Sequence, residues 1–179
     1  MHDKIREGFL RRQYEEAQAL ERESDLLEVS ALPGDPPTRY IVALRCKGLI
    51  RVNDRIREHD TWEIGVNFPP DYLRRADPFQ VITVLNPLLT AWHPNISRKA
   101  PIVCIGRLTP GTGLVDMIYQ VYEVVTYNKV TMREDDCLNV EACSWARRNQ
   151  HRFPIDRRPL KRRTLRAEIT VSEHAPSAP

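Results

Sequence analysis

The pattern of apolar and polar residues begins with a charged segment that carries an apolar stripe. Leu10, Tyr14, Ala17 and Leu20 are three or four residues apart, and charged side chains occupy most positions between them. This spacing places the four apolar side chains on one face of a helix. The pattern therefore predicts a helix over residues 3–24 with one buried face.

Four stretches with strand character follow. Each is rich in β-branched or aromatic residues or alternates between apolar and polar positions, and they cover residues 27–31, 40–46, 62–68 and 79–85. The Pro-Gly-Asp-Pro-Pro run at residues 33–37 predicts a tight turn, and the polar residues 51–59 predict a longer connection. Consecutive strands joined by turns predict a four-stranded antiparallel meander.

Two helices are predicted in the C-terminal half. The first covers residues 114–127, with an apolar stripe of Val115, Ile118, Tyr122 and Val125. The second follows Asn139, a residue type that caps helices, and ends near residue 149. A helix, then a meander, then helices define the α+β class. We expect one domain over residues 1–153 and a basic, disordered tail over residues 154–179.

Between the last strand and the next helix lies a long proline-rich loop, residues 85–106. Its prolines at 87, 94 and 101 fix φ and remove backbone donors, so the loop is expected to be stiff and irregular. Long ordered loops in small domains commonly carry function. This one contains Cys104, a potential nucleophile, and Asn95, whose amide could donate to an oxyanion or fix the loop.

Composition narrows the class of protein. Apolar residues make up 41% and charged residues 28%, as in globular proteins, and no run of eighteen apolar residues predicts a membrane span. The N-terminus lacks the apolar core of a signal peptide, so we expect a cytoplasmic protein with no membrane partner. The cysteines at 46, 104, 137 and 143 lack paired spacing, which predicts free thiols rather than a disulfide framework or a zinc site. No cofactor is expected.

Four motifs, in order along residues 5–153, resemble the ubiquitin-conjugating enzymes. His93-Pro94-Asn95, followed nine residues after Asn95 by Cys104 within Ile-Val-Cys-Ile, is similar to their active-site signature. Residues 67–72, Asn-Phe-Pro-Pro-Asp-Tyr, are similar to the strand and turn that precede it, and Asp135-Asp136-Cys137-Leu138 resembles the acidic turn that faces the cysteine. The resemblance implies the fold of that family.

The resemblance to the ubiquitin-conjugating enzymes also implies a reaction. Cys104 would accept the C-terminus of a ubiquitin-like modifier from an activating enzyme as a thioester, then pass it to an amine of a target protein. Asn95 would stabilise the oxyanion or brace the loop, and Asp136 would orient or deprotonate the attacking lysine, with Asp135 in support. His93 is expected to brace the loop.

The residues alone leave other interpretations open. Cys104 lies among aliphatic residues and could be a small buried side chain. Asp135 and Asp136 could be acidic residues favoured near a helix N-terminus. The cluster from Arg157 to Arg166 could bind nucleic acid, although no aromatic platform accompanies it, so we expect an accessory role at most. A silent variant of the fold that only holds a ubiquitin-like partner is the alternative to an enzyme.

The resemblance also bears on partners. In the family, the first helix is the docking face for the activating enzyme. Leu73-Arg74-Arg75 replaces the aromatic knob that RING-type ligases grip, and Gly111-Thr112-Gly113 replaces the family's Trp-Ser-Pro loop, so docking of a conventional RING ligase is not expected.

Other features resemble the prokaryotic relatives of the family. Residues 127–132 look like an insertion ahead of the acidic turn, and Leu138 to Ala142 with Trp145 are also similar. Those relatives work in ubiquitin-like conjugation operons, several of them linked to phage defence. The chain has 22 arginines and 5 lysines, which fits either the codon usage of a GC-rich bacterium or an enzyme that avoids modifying itself.

The charge is distributed unevenly along the chain. Residues 152–166 carry a net charge of +6, which leaves a net charge of −3 for the remaining residues.

Overall fold

The computed structural model describes residues 3–162, and its first element is the predicted N-terminal helix, α1 (Lys4–Arg22). Asp3 caps this helix by accepting a hydrogen bond from the backbone N–H of Arg6 at 3.1 Å. The apolar stripe faces inward, and Leu10 and Ala17 are fully buried. The predicted helix is confirmed.

A four-stranded antiparallel sheet forms the centre of the fold. Its strands are β1 (Leu27–Ala31), β2 (Arg39–Leu44), β5 (Trp62–Asn67) and β6 (Ile82–Asn86), in the order β1-β2-β5-β6. One row of buried side chains crosses all four strands, because Val29 pairs with Val42, Val42 with Ile64, and Ile64 with Val84. This face packs against the helices, so the α+β meander is confirmed.

The chain forms a second, two-stranded sheet after β2 and before β5 in the sequence. Residues 51–59, which we expected to be a connection, belong to a hairpin of β3 (Gly48–Val52) and β4 (Arg55–His59). Its turn places Asn53 and Asp54 at positive φ, 48° and 58°, as a tight hairpin turn requires. The prediction was wrong here because β4 is largely exposed, so its charged residues resemble those of a loop.

The last strand is shorter than predicted. Residues 79–85 begin in a single helical turn, α2 (Pro78–Val81), before β6 starts at Ile82. Asp77 caps this turn by accepting from the backbone N–H of Phe79 at 3.0 Å, and Pro78 takes the first helical position, which suits a residue without an N–H.

The C-terminal half contains α3 (Leu114–Val125), α4 (Val140–Arg148) and a 3₁₀ turn (Gln150–Arg152). Helix α3 is buried along most of its length and packs against α1. Asn139 caps α4 as predicted, since its Oδ1 accepts from the backbone N–H of Ala142 at 3.1 Å. No helix within residues 3–162 is long and apolar enough to cross a membrane.

The chain after the 3₁₀ turn continues along the domain. Leu160 is 2% exposed, and the Asp156 carboxylate accepts from the backbone N–H of Lys47 at 3.1 Å. The hydroxyl of Tyr122 donates to the carbonyl of Arg158 at 2.5 Å. Residues 154–162, assigned to the tail on sequence, therefore pack on the domain, nine residues beyond the expected boundary. The rest of the predicted tail, residues 163–179, lies outside the described residues.

Candidate active site

The proline-rich loop is fastened to both sheets. The N–H of Trp92 donates to the carbonyl of Leu49 on β3 at 2.7 Å, and the N–H of Val84 on β6 donates to the carbonyl of Pro101 at 2.9 Å. These bonds hold the loop at two points along its length. They explain how a segment with little regular structure of its own keeps a fixed shape, as the three prolines predict.

Cys104 lies near the end of this loop and is only half-buried, with a free thiol. Its neighbours Val103 and Ile105 are fully buried, so side chains alternate between core and surface along this extended stretch. Cys104 therefore takes an outward position. The alternative interpretation, a small side chain packed in the core, does not fit this exposure.

The other cysteines provide a comparison. Cys46 and Cys143 are buried, and burial raises the pKa of these thiols to about 12 and about 11. Cys137 is half-buried like Cys104, and its Sγ lies 3.4 Å from the carbonyl of Glu134. Within the described residues, the accessible thiols are thus Cys104 and Cys137.

Asn95 is bound to Cys104 through both backbone and side chain. The N–H of Cys104 donates to the carbonyl of Asn95 at 2.7 Å, and Asn95 Nδ2 donates back to the carbonyl of Cys104 at 3.2 Å. Nδ2 also donates to Thr131 Oγ1 at 2.9 Å, while Oδ1 accepts from the N–H of Thr131 at 2.9 Å. Both amide hydrogens are engaged and the residue is 4% exposed. Of the two roles expected for Asn95, these contacts are those of a brace.

His93 is buried beneath the loop, only 1% exposed. Its Nδ1 accepts from the backbone N–H of Asn95 at 3.0 Å, and its ring packs edge-on against Tyr127 with 4.4 Å between ring centroids. Burial lowers the pKa of His93 to about 3, so the ring is neutral at physiological pH. These contacts position the loop and leave His93 unsuited to act as a base for solvent-exposed chemistry.

The acidic turn is attached to the same loop. The N–H groups of Leu138 and Asn139 both donate to the carbonyl of Pro94, at 2.9 and 3.1 Å. Asp135 forms an ion pair with Arg133 at 2.6 Å, and this hydrogen-bonded partner lowers the pKa of Asp135. Asp136 is exposed and has no ion pair within residues 3–162. The free carboxylate of the turn is therefore Asp136, although no hydrogen bond joins it to Cys104 or Asn95.

Two contact residues were not identified from the sequence. Thr131 holds the Asn95 side chain, and Lys129 Nζ donates to the carbonyl of Ile105 at 2.5 Å. Both lie in residues 127–132, the stretch that resembles an insertion, and they contact Asn95 and the residue directly after Cys104. No sequence signal identified them individually, because their partners are 24 and 36 residues away in the chain.

A charged cluster fastens α4 to the loop beside this site. The guanidinium groups of Arg51 and Arg98 lie 4.8 and 5.7 Å from the centre of the Trp92 ring. Both also reach one oxygen of Glu141, in the first turn of α4, at 2.5 and 3.2 Å. The cluster thus connects β3, the residues on both sides of Asn95, and α4.

Within residues 3–162 no group of three or more His, Cys, Asp or Glu side chains could hold a metal ion.

Comparison with known proteins supports the fold. No protein-family model matches the chain, and no curated protein matches its sequence. Among solved structures, a ubiquitin-conjugating enzyme E2 domain from Toxoplasma gondii aligns over 86% of this chain and 92% of that domain, with a TM-score of 0.55 and 16% identity. A candidate ubiquitin-conjugating enzyme from Plasmodium yoelii aligns over 81% of this chain and 87% of its own, with a TM-score of 0.54 and 16% identity.

The chain therefore has the fold of the ubiquitin-conjugating enzymes, as the sequence motifs implied. At these levels of identity the likeness establishes the fold. The function has to be argued from the residues of the site.

Proposed function

We propose that this protein is a conjugating enzyme that carries a ubiquitin-like modifier as a thioester on Cys104. The observation that carries the proposal is the half-exposed Cys104 thiol, held by the buried Asn95 brace in a domain with the fold of the ubiquitin-conjugating enzymes. A thiol suits this reaction because its thiolate is a strong nucleophile and a good leaving group.

The first step is a thiol exchange. The Cys104 thiolate attacks the carbonyl carbon of the modifier's thioester on the activating enzyme. A new C–S bond forms, and the activating enzyme's thiolate departs. Asn95 holds the Cys104 backbone during this step through its two hydrogen bonds to that residue, which keeps the sulfur in one place.

The second step transfers the modifier to an amine of a target protein. The amine must lose a proton before it attacks the thioester carbonyl, and the Cys104 thiolate then leaves. Asp136 is an exposed carboxylate of the adjoining turn with no ion pair among residues 3–162, and it is the group we assign to orienting the amine or accepting its proton. His93 is excluded from this role by its burial, and Asp135 is held by Arg133.

We assign the docking of the activating enzyme to the outer face of α1. That face carries exposed Arg11 and Arg12, and Arg11 bridges Glu7 and Asp35 at 3.0 Å each. A bacterial conjugation pathway, including one of phage defence, is the setting we propose from the arginine-rich composition and the insertion at residues 127–132.

The test is reconstitution with the activating enzymes and ubiquitin-like proteins encoded beside this gene, with ATP, on a non-reducing gel. We expect an adduct that thiols remove, that Cys104→Ala abolishes and that Cys137→Ala retains. Cys104→Ser should give an adduct that resists thiols, because an oxyester exchanges with thiols far more slowly than a thioester. An adduct that persists in Cys104→Ala would overturn the assignment.

The alternative, a silent protein that only holds a modifier, is not favoured by the site. Such a protein has no need for an exposed thiol, yet Cys104 is present and half-exposed. Binding of the modifier without any adduct, in the presence of an active activating enzyme, would favour this alternative.

A further inference from the structure

We propose that the ammonium group of Lys129 stabilises the oxyanion that forms when the acyl group is transferred to or from Cys104. This inference rests on the proposed function, since it assumes that Cys104 is acylated. It assigns a catalytic contact to a residue that no sequence motif indicated.

The Lys129 ammonium group contacts the backbone of the residue that follows Cys104. Lys129 Nζ donates to the carbonyl of Ile105 at 2.5 Å, directly after Cys104. It also lies 3.3 Å from the point that a Cβ on Gly106 would occupy. Gly106 has φ of +98°, a conformation that side chains rarely adopt, so the chain leaves open space for the ammonium group two residues after the nucleophile.

The Lys129 ammonium group has no counter-charge among the residues that the structure describes. Lys129 is half-buried, yet no carboxylate forms an ion pair with it within residues 3–162. Burying an unpaired cation is unfavourable, and the Ile105 carbonyl uses only one of its three N–H donors. A transient negative charge at Cys104 would supply the missing partner.

The other donors near Cys104 are engaged in hydrogen bonds. Both amide hydrogens of Asn95 are already committed, to Cys104 O and to Thr131 Oγ1. The backbone N–H of Cys104 is committed to the carbonyl of Asn95. Among the hydrogen bonds of residues 3–162, the carbonyls of Cys104 and Ile105 accept from the side chains of Asn95 and Lys129, and of these two Lys129 retains free N–H donors and a positive charge.

The chemistry balances without a change in Lys129. When sulfur bonds to the carbonyl carbon, the π electron pair of the carbonyl moves to its oxygen, and an N–H of Lys129 donates to that oxygen. When the intermediate collapses, the C=O bond re-forms and the leaving thiolate departs. In transfer to a target the leaving group is the Cys104 thiolate, and Lys129 keeps its proton throughout.

The test uses a small uncharged acyl donor, the N-acetylglycine thioester of N-acetylcysteamine, on the full chain with Cys137→Ser to remove the other accessible thiol. The rate of Cys104 acylation is followed by intact mass. We expect Lys129→Met to lower this rate by about tenfold or more. Removal of an oxyanion donor from a water-excluded site costs ~100–1,000-fold, and a smaller minimum loss is set here because this site is partly exposed. Lys129→Arg should retain most of the rate, and the matched control Lys47→Met should retain all of it.

A second reagent separates this role from a structural one. Alkylation of Cys104 by iodoacetamide forms no oxyanion, so Lys129→Met should slow alkylation far less than it slows acylation. Equal losses in acylation and alkylation would assign Lys129 to loop structure and overturn the proposal, as would an unchanged acylation rate. An acyl group found on the Lys129 amine itself would also overturn it, in favour of Lys129 as an acceptor.

Failure of this inference can be distinguished from failure of the proposed function. If the modifier is loaded equally well on the parent and on Lys129→Met, the proposed function is supported and oxyanion stabilisation by Lys129 is refuted. If the small thioester acylates Cys104 with the predicted Lys129 dependence but no modifier is ever loaded, the oxyanion site stands and the proposed function fails.

Discussion

Replacing Asn95 with alanine tests whether this residue is chiefly a brace. The change removes three side-chain hydrogen bonds, one to the carbonyl of Cys104 and two to Thr131. At roughly 1 kcal/mol for each bond, plus a penalty for the partly buried Thr131 N–H and Cys104 carbonyl left without partners, we expect a loss of about 3–5 kcal/mol in the free energy of unfolding.

The assay is urea denaturation followed by tryptophan fluorescence, with Asn67→Ala as the matched control. Asn67 makes no side-chain hydrogen bond within residues 3–162 and lies at the end of β5, so its loss should cost less than about 0.5 kcal/mol. If Asn95→Ala unfolds within about 0.5 kcal/mol of the parent, the brace is refuted. A normal stability combined with a large loss of acyl transfer would restore the oxyanion role.

Two further predictions concern buried groups. The Arg158 hydrogen bond is the main reason that the pKa of Asp156 falls from 3.8 to about 2, so its stabilisation is complete above about pH 4 and is lost as the pH falls through 2. Asp156→Asn should therefore cost about 2 kcal/mol of unfolding free energy at pH 7, and the difference from the parent should shrink between pH 4 and pH 2 in urea titrations; a constant difference would contradict this. Native iodoacetamide treatment followed by peptide mapping should label Cys104 and Cys137 and spare Cys46 and Cys143, and labelling of all four at equal rates would contradict the burial we describe.

Local patterns predicted much of the fold because they record burial directly. The stripe on α1 and the alternation along β5 reflect which side chains face the core, and the Asn139 cap is a short-range hydrogen bond. The β3–β4 hairpin escaped prediction since β4 is mostly exposed and carries the charges of a loop. Leu160 was assigned to the tail because its contacts lie far away in sequence and its neighbours are basic.

The residues of the candidate site also differ in whether the sequence could predict them. Cys104 and Asn95 were found through their resemblance to a motif, and the structure joins them by direct hydrogen bonds. Thr131 and Lys129 were missed, because a contact between distant segments leaves no periodic pattern in either of them. The resemblance named two roles for Asn95, and only the positions of its partners favour the brace.

The central claim, that Cys104 carries the modifier, is tested most directly by intact mass spectrometry after incubation with the modifier, its activating enzyme and ATP. We predict a mass increase equal to the modifier less one water, reversed by added thiol, present in Cys137→Ala and absent in Cys104→Ala. The same increase in Cys104→Ala, or its persistence after thiol treatment of the unsubstituted protein, would contradict the account.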